Sequence, residues 1–109
     1  MEKFAFLAVL GFAAAAFAAP KVPRPRTFTG NISDSACGLS HMITTASLRQ
    51  CTLQCVQMGA KFVLADKAHQ KVYGLSDQAK AEPFAGEKVE VVGAIKGSAI
   101  EVISITPVK

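Results

Sequence analysis

Cys37, His41, Cys51 and Cys55 follow one another as C-x3-H-x9-C-x3-C, and they account for all 3 cysteines of the chain and one of its 2 histidines. Thiolates and a neutral imidazole are soft or borderline ligands, and four of them in one short segment match a tetrahedral metal set in number and type. The spacing differs from the common zinc-finger strings, so residue type carries more of this reading than the string does. Zinc is the expected ion. Copper(I) is the alternative, and Met42 and Met58 lie near enough in sequence to join a copper sphere. Three thiolates and an imidazole on a divalent ion leave one negative charge, for which Arg49 and Lys61 are the nearby cations.

The competing chemistry is a disulfide. Cys37 pairing with Cys51 or Cys55 closes a loop worth roughly 3 kcal/mol in the chain-entropy model, and an exported protein meets oxidising conditions that favour it. Three cysteines leave one over. Cys51 and Cys55 are poor partners for each other: on a helix, residues four apart hold their Cβ atoms about 5–6 Å apart, whereas a disulfide wants about 3.5–4.5 Å. Two thiolates on one zinc need sulfur separations of only about 3.8 Å, which side-chain rotation from those positions supplies. Metal and disulfide both stay open at this level. A Cys37–His41 nucleophile and base lacks a clear orienting group, although Asp34 is near, so no catalytic residue is assigned. The C-x-x-C-H string of c-type haem is absent.

These residues must be held by local elements that the pattern of the chain predicts. Residues 27–33 carry the β-branched and aromatic content of a first strand, and Asp34-Ser35-Ala36-Cys37-Gly38 reads as the turn after it. Over residues 47–58, Leu48, Cys51, Cys55 and Met58 recur at helical steps, with Gly59 as the C-terminal glycine and Thr44, Thr45 or Ser47 as the cap. Residues 62–65 and 71–75 form a hairpin around a polar turn at 66–70, which places His69 at a solvated tip. Residues 76–81 predict one helical turn before Pro83 and Gly86. Residues 88–95 and 98–106 form a second hairpin through Lys96-Gly97. Its apolar alternation slips at Val91-Val92 and Val102-Ile103, which marks a bent or bulged strand near Gly93. The order predicts a mainly β fold, a small five-stranded OB-like barrel with the cysteine-bearing helix inserted after strand 1.

The chain has 109 residues, 12 basic against 8 acidic, a net charge of +4 and no tryptophan, which excludes a multi-domain enzyme. Residues 1–18 have the parts of a secretory signal: Lys3 near the start, an apolar run, and Ala16-Phe17-Ala18 at the cleavage position. The run is about 14 residues against the roughly 20 that span a bilayer, so no transmembrane anchor is expected after cleavage. A secreted or periplasmic location follows. Residues 19–26 alternate Pro20, Pro23 and Pro25 with basic residues, as an extended linker does. The domain itself is residues 27–109, with its Cys/His segment at 34–59. Aromatics are few and lysines dispersed, so no nucleic acid is expected as a partner. A metal ion and an anionic envelope polymer or protein are the partners the residues allow.

Gly30-Asn31-Ile32-Ser33-Asp34-Ser35-Ala36-Cys37-Gly38, His41, Cys51-Thr52-Leu53-Gln54-Cys55-Val56, Gly59-Ala60-Lys61-Phe62-Val63-Leu64 and Ala85-Gly86-Glu87-Lys88-Val89 together resemble a family of small exported bacterial proteins with no assigned activity. The resemblance spans most of the domain. It implies a secreted OB-like unit in which Cys37, His41, Cys51 and Cys55 belong to one local segment. The expectation is therefore a non-enzymatic exported domain with a structural or sensing Cys3His metal site, the alternative being a disulfide-stapled binding module.

Overall fold

A computed structural model describes residues 23–40 and 47–109; the signal segment, His41, Met42 and two of the three possible helix caps lie outside the described residues. Five strands, β1 (Arg26–Asp34), β2 (Phe62–Asp66), β3 (Lys71–Leu75), β4 (Lys88–Lys96) and β5 (Ala99–Pro107), form one mainly β unit. Helix α1 (Leu48–Gln57) follows β1, and a short helix α2 (Gln78–Ala81) runs into a 3-10 turn (Glu82–Phe84) before β4. The sheet order is β1-β2-β3-β5-β4, and β4 pairs back onto β1, so the sheet closes on itself. All pairs are antiparallel except β3 with β5. This is the OB-like arrangement expected, with the cysteine-bearing helix inserted after strand 1.

Closure buries the inward face of the strands, and β2 is buried at all five positions. Phe28 and Ile32 of β1, Leu64 of β2, Leu75 of β3, Val89 and Val91 of β4, and Ile100 and Ile105 of β5 meet in a single core. The slipped alternation of the last hairpin is a register shift between Val92 and Gly93. A side chain at Gly93 would run into the Glu101 carbonyl and the Ile100 side chain, so only glycine lets β4 bend there.

The helical connection seals one end. Ala81 and Ala85 are fully buried against the core. Asp77 caps α2 by accepting from the Lys80 N–H at 3.0 Å. Gln78 clamps the ends of β2 and β3: its side-chain oxygen accepts from the Phe62 N–H at 2.7 Å, and its amide donates to the Phe62 and Leu75 carbonyls at 2.9 and 3.0 Å. Beyond the 3-10 turn the chain runs beside β1, where the Gly86 N–H donates to the Ile32 carbonyl at 2.8 Å and the Ile32 N–H to the Glu87 carbonyl at 3.0 Å. At the β2–β3 tip His69 is exposed as expected, yet its Nδ1 lies 2.7 Å from the Asp66 carboxylate.

Candidate metal centre

The site is built from the last residue of β1 and one face of α1. Asp34 ends the strand, and its Oδ1 accepts from the backbone N–H groups of Ala36 at 3.0 Å and Cys37 at 2.9 Å. This Asx turn reverses the chain and sets Cys37 beside the carboxylate. The turn is tied down on both sides: the Gly38 N–H donates to the Asp34 carbonyl at 2.8 Å, and the Ser33 hydroxyl donates to the Gly38 carbonyl at 2.9 Å. Ser35 bridges to the strand that follows α1. Its N–H donates to the Lys61 carbonyl at 2.8 Å, and its hydroxyl accepts from the Lys61 N–H at 2.9 Å.

Helix α1 brings the other two thiols. Ser47, one of the three expected caps, accepts from the Gln50 N–H at 3.1 Å. The helix ends at Met58 and Gly59, the latter with φ +110. Leu53 and Val56 pack against the barrel core, and that contact fixes the rotation of the helix. One helical turn separates Cys51 from Cys55, so both sit on the same side. Cys51 is fully buried, whereas Cys37 and Cys55 are half-buried.

The three sulfurs and a carboxylate oxygen of Asp34 all lie within 4.8 Å of one another. None of the three cysteines is in a disulfide. Asp34 is 0 % exposed, and its second oxygen, Oδ2, is buried with no hydrogen-bond partner among the described residues. A buried carboxylate oxygen without a partner is costly and rare. A cation among these four donors would satisfy it. Four ligands on one zinc ion stand about 3.5–3.8 Å apart, so small side-chain rotations bring the observed set to that spacing.

The electrostatics agree with the geometry. The Cys55 thiol is pushed up from 9.0 to about 12, first by desolvation, then by the Asp34 carboxylate and by the neighbouring Cys37 and Cys51 thiols. Each of the charges that disfavours a thiolate here would favour a bound cation. A raised thiol pKa in the folded state means that the folded state holds its proton more tightly than the unfolded chain. The contribution of Cys55 to the stability of the metal-free protein is therefore expected to be fully present below pH 9.0 and to be lost as pH climbs toward about 12. Urea midpoints of the metal-free protein across that range would show the fall, and Cys55→Ser should flatten it.

Three of the four residues expected from the sequence, Cys37, Cys51 and Cys55, are brought together, and the fourth, His41, lies outside the described residues. Asp34 is the member that the sequence reading missed. The available signal was a D-x-x-C string at the end of a strand, where an aspartate that caps a turn also points at the cysteine three residues on. Two further expectations change. Met58 is 82 % exposed at the helix end, so its thioether faces solvent. Arg49 donates to the Pro83 carbonyl at 3.1 Å, which directs its guanidinium to the helical connection.

The fold and the site together define a small OB-like domain carrying a thiol-rich group able to hold a metal ion. No family model, no curated protein and no solved structure matches the chain. Among the described residues no helix is long and apolar enough to cross a membrane.

Proposed function

We propose that this chain is an exported, non-enzymatic OB-like domain whose Asp34, Cys37, Cys51 and Cys55 hold one zinc ion in a structural or sensing role. The observation that carries the reading is the fully buried Asp34 carboxylate, one oxygen of which lies with the three sulfurs while its Oδ2 has no hydrogen-bond partner among the described residues. Zinc is preferred over copper(I) because a carboxylate is a hard donor that suits a divalent borderline ion, whereas copper(I) prefers an all-sulfur set. Export rests on Lys3, the apolar run and Ala16-Phe17-Ala18, and a periplasmic or secreted location goes with it.

Asp34→Asn tests the site directly. The amide keeps one oxygen for the Ala36 and Cys37 N–H groups but removes the anionic donor. Loss of an outer-sphere partner typically costs 10–100-fold in metal affinity, and a ligand costs no less, so zinc binding should weaken roughly 100-fold or more. The metal-free variant should be more stable than the parent, because an uncompensated buried charge is gone. His41→Ala separates the two candidate fourth ligands: it should change zinc affinity less than roughly 3-fold. The opposite ranking of the two variants in a competition titration would assign the fourth position to His41.

The closeness of the Cys37 and Cys55 sulfurs, within 4.8 Å of each other, favours one second reading, a disulfide between those two residues that staples α1 to the turn after β1. In that form the domain is a binding module for an envelope polymer or protein, and Cys51 remains a buried thiol.

A further inference from the structure

β1 pairs with β2 only over residues 31–34, while residues 26–30 pair with β4 alone. The β2–β3 hairpin runs on past that point to its tip at residues 66–71, so the first half of β1 and the hairpin face each other across a cleft. The cleft has a volume of about 630 Å³. A second hollow of about 310 Å³ shares Arg26, Lys71 and Tyr73 with it. Volumes of this order are those of ligand sites.

The groove is cationic. Arg26, Lys67, Lys71 and Lys88 line it, all four exposed, and among the described residues none of them is in an ion pair. Asp66 is the one carboxylate among the lining residues, and it is already engaged by the His69 N–H and Nδ1. Like charges held around one concavity repel each other and raise the local concentration of anions.

Its neutral groups narrow the class. Thr27, Thr29 and Asn31 project from alternate positions of β1, about 6.8 Å apart, as hydroxyl and amide partners for a polar chain. Tyr73 is half-buried with its ring fixed 5.2 Å from Phe28. Phe28 itself is 6 % exposed, and the Arg26 guanidinium lies 4.6 Å over its ring. One accessible ring with two hydroxyls and an amide suits a sugar. Single-stranded nucleic acid takes a series of free aromatic faces instead.

We propose that the groove between the first half of β1 and the β2–β3 hairpin binds a carboxylated polysaccharide, with Arg26, Lys71 and Lys88 pairing its carboxylates and Tyr73 stacking on a sugar ring. This goes beyond the metal reading and is independent of it, since the groove lies along the first half of β1 and the thiols gather at its far end.

Calorimetric titration of the purified protein with hexagalacturonate, maltohexaose and dT12 at low salt tests it. Hexagalacturonate should bind, weaken steeply with added NaCl, and bind 10-fold or more weakly to the Lys71→Glu/Lys88→Glu variant. The Lys80→Glu/Lys109→Glu variant, with the same change of charge outside the groove, should lose less than 3-fold. Maltohexaose should not bind. Should the charge reversal disturb the fold, Lys71→Gln/Lys88→Gln should give the same ranking. No heat with hexagalacturonate, equal losses in the two double variants, or tighter binding of dT12 would each overturn the proposal. Zinc content measured on the same samples reports separately on the thiol site.

Discussion

Chelation of the zinc-loaded protein is expected to lower its Tm by roughly 15–30 °C. A ligand that binds only the folded state stabilises it by RT ln(1 + [L]/Kd), about 4.1 kcal/mol when free zinc stands at 1,000 times Kd. Each kcal/mol moves the Tm of a domain of this size by about 4–8 °C. The physical origin lies in the apo site, where the Asp34 carboxylate, with no partner for Oδ2, is packed against three thiols. Chelation exposes that cost and leaves α1 tied to the barrel chiefly by its packing, through Cys51, Thr52, Leu53 and Val56. Cys51→Ala should reproduce most of the loss without a chelator, because Cys51 is fully buried and the variant removes a ligand without adding a polar atom. Calorimetric scans in zinc, in chelator, and in a non-chelating phosphine reductant distinguish the readings. A Tm that ignores the chelator and falls with the reductant would replace the metal by a Cys37–Cys55 disulfide.

The second large effect is expected at a residue that touches no ligand. Gly86 has φ +79, and a Cβ there would stand 2.5 Å from the Arg49 backbone nitrogen and 2.7 Å from its Cα. Gly86→Ala therefore combines left-handed backbone strain, about 1–3 kcal/mol, with overpacking of similar size. A loss of roughly 3 kcal/mol is expected, or roughly 10–25 °C in Tm. The alternative to that strain is to push the first turn of α1 outward, which moves Cys51 and Cys55 away from Cys37, so zinc affinity should fall with stability. Gly97→Ala is the control, since Gly97 has φ +65 with nothing within 4 Å of the added carbon. It bears the backbone strain alone. Equal Tm losses in the two variants, or zinc affinity untouched in Gly86→Ala, would show that the contact between the helical connection and α1 does not position the thiols.

The two effects share a cause, which is that α1 is held by few partners. Beyond its apolar contacts it has the Arg49 hydrogen bond to Pro83 and the close approach of Gly86. An ion bridging Cys51 and Cys55 to Asp34 and Cys37 would cross-link the helix to the end of β1, and so couple metal occupancy to the position of a surface helix.

Local pattern alone specified much of this molecule. β-branched and apolar runs marked all five strands, the slip at Val91-Val92 in the alternation of the last hairpin marked the bend at Gly93, and the helical step between Cys51 and Cys55 placed both thiols on one side of α1. Such features are legible because they depend on residues within a few positions of one another. Tertiary structure decided what depends on distant ones: the closure of β4 onto β1, the parallel pairing of β3 with β5, and the cleft left where β1 parts from β2. It also made Asp34 a member of the site. The D-x-x-C string sets the aspartate beside the first cysteine, but whether that carboxylate is solvated or sealed behind a helix depends on distant residues. That difference is created when the packing of Leu53 and Val56 lays Cys51 and Cys55 over the end of β1.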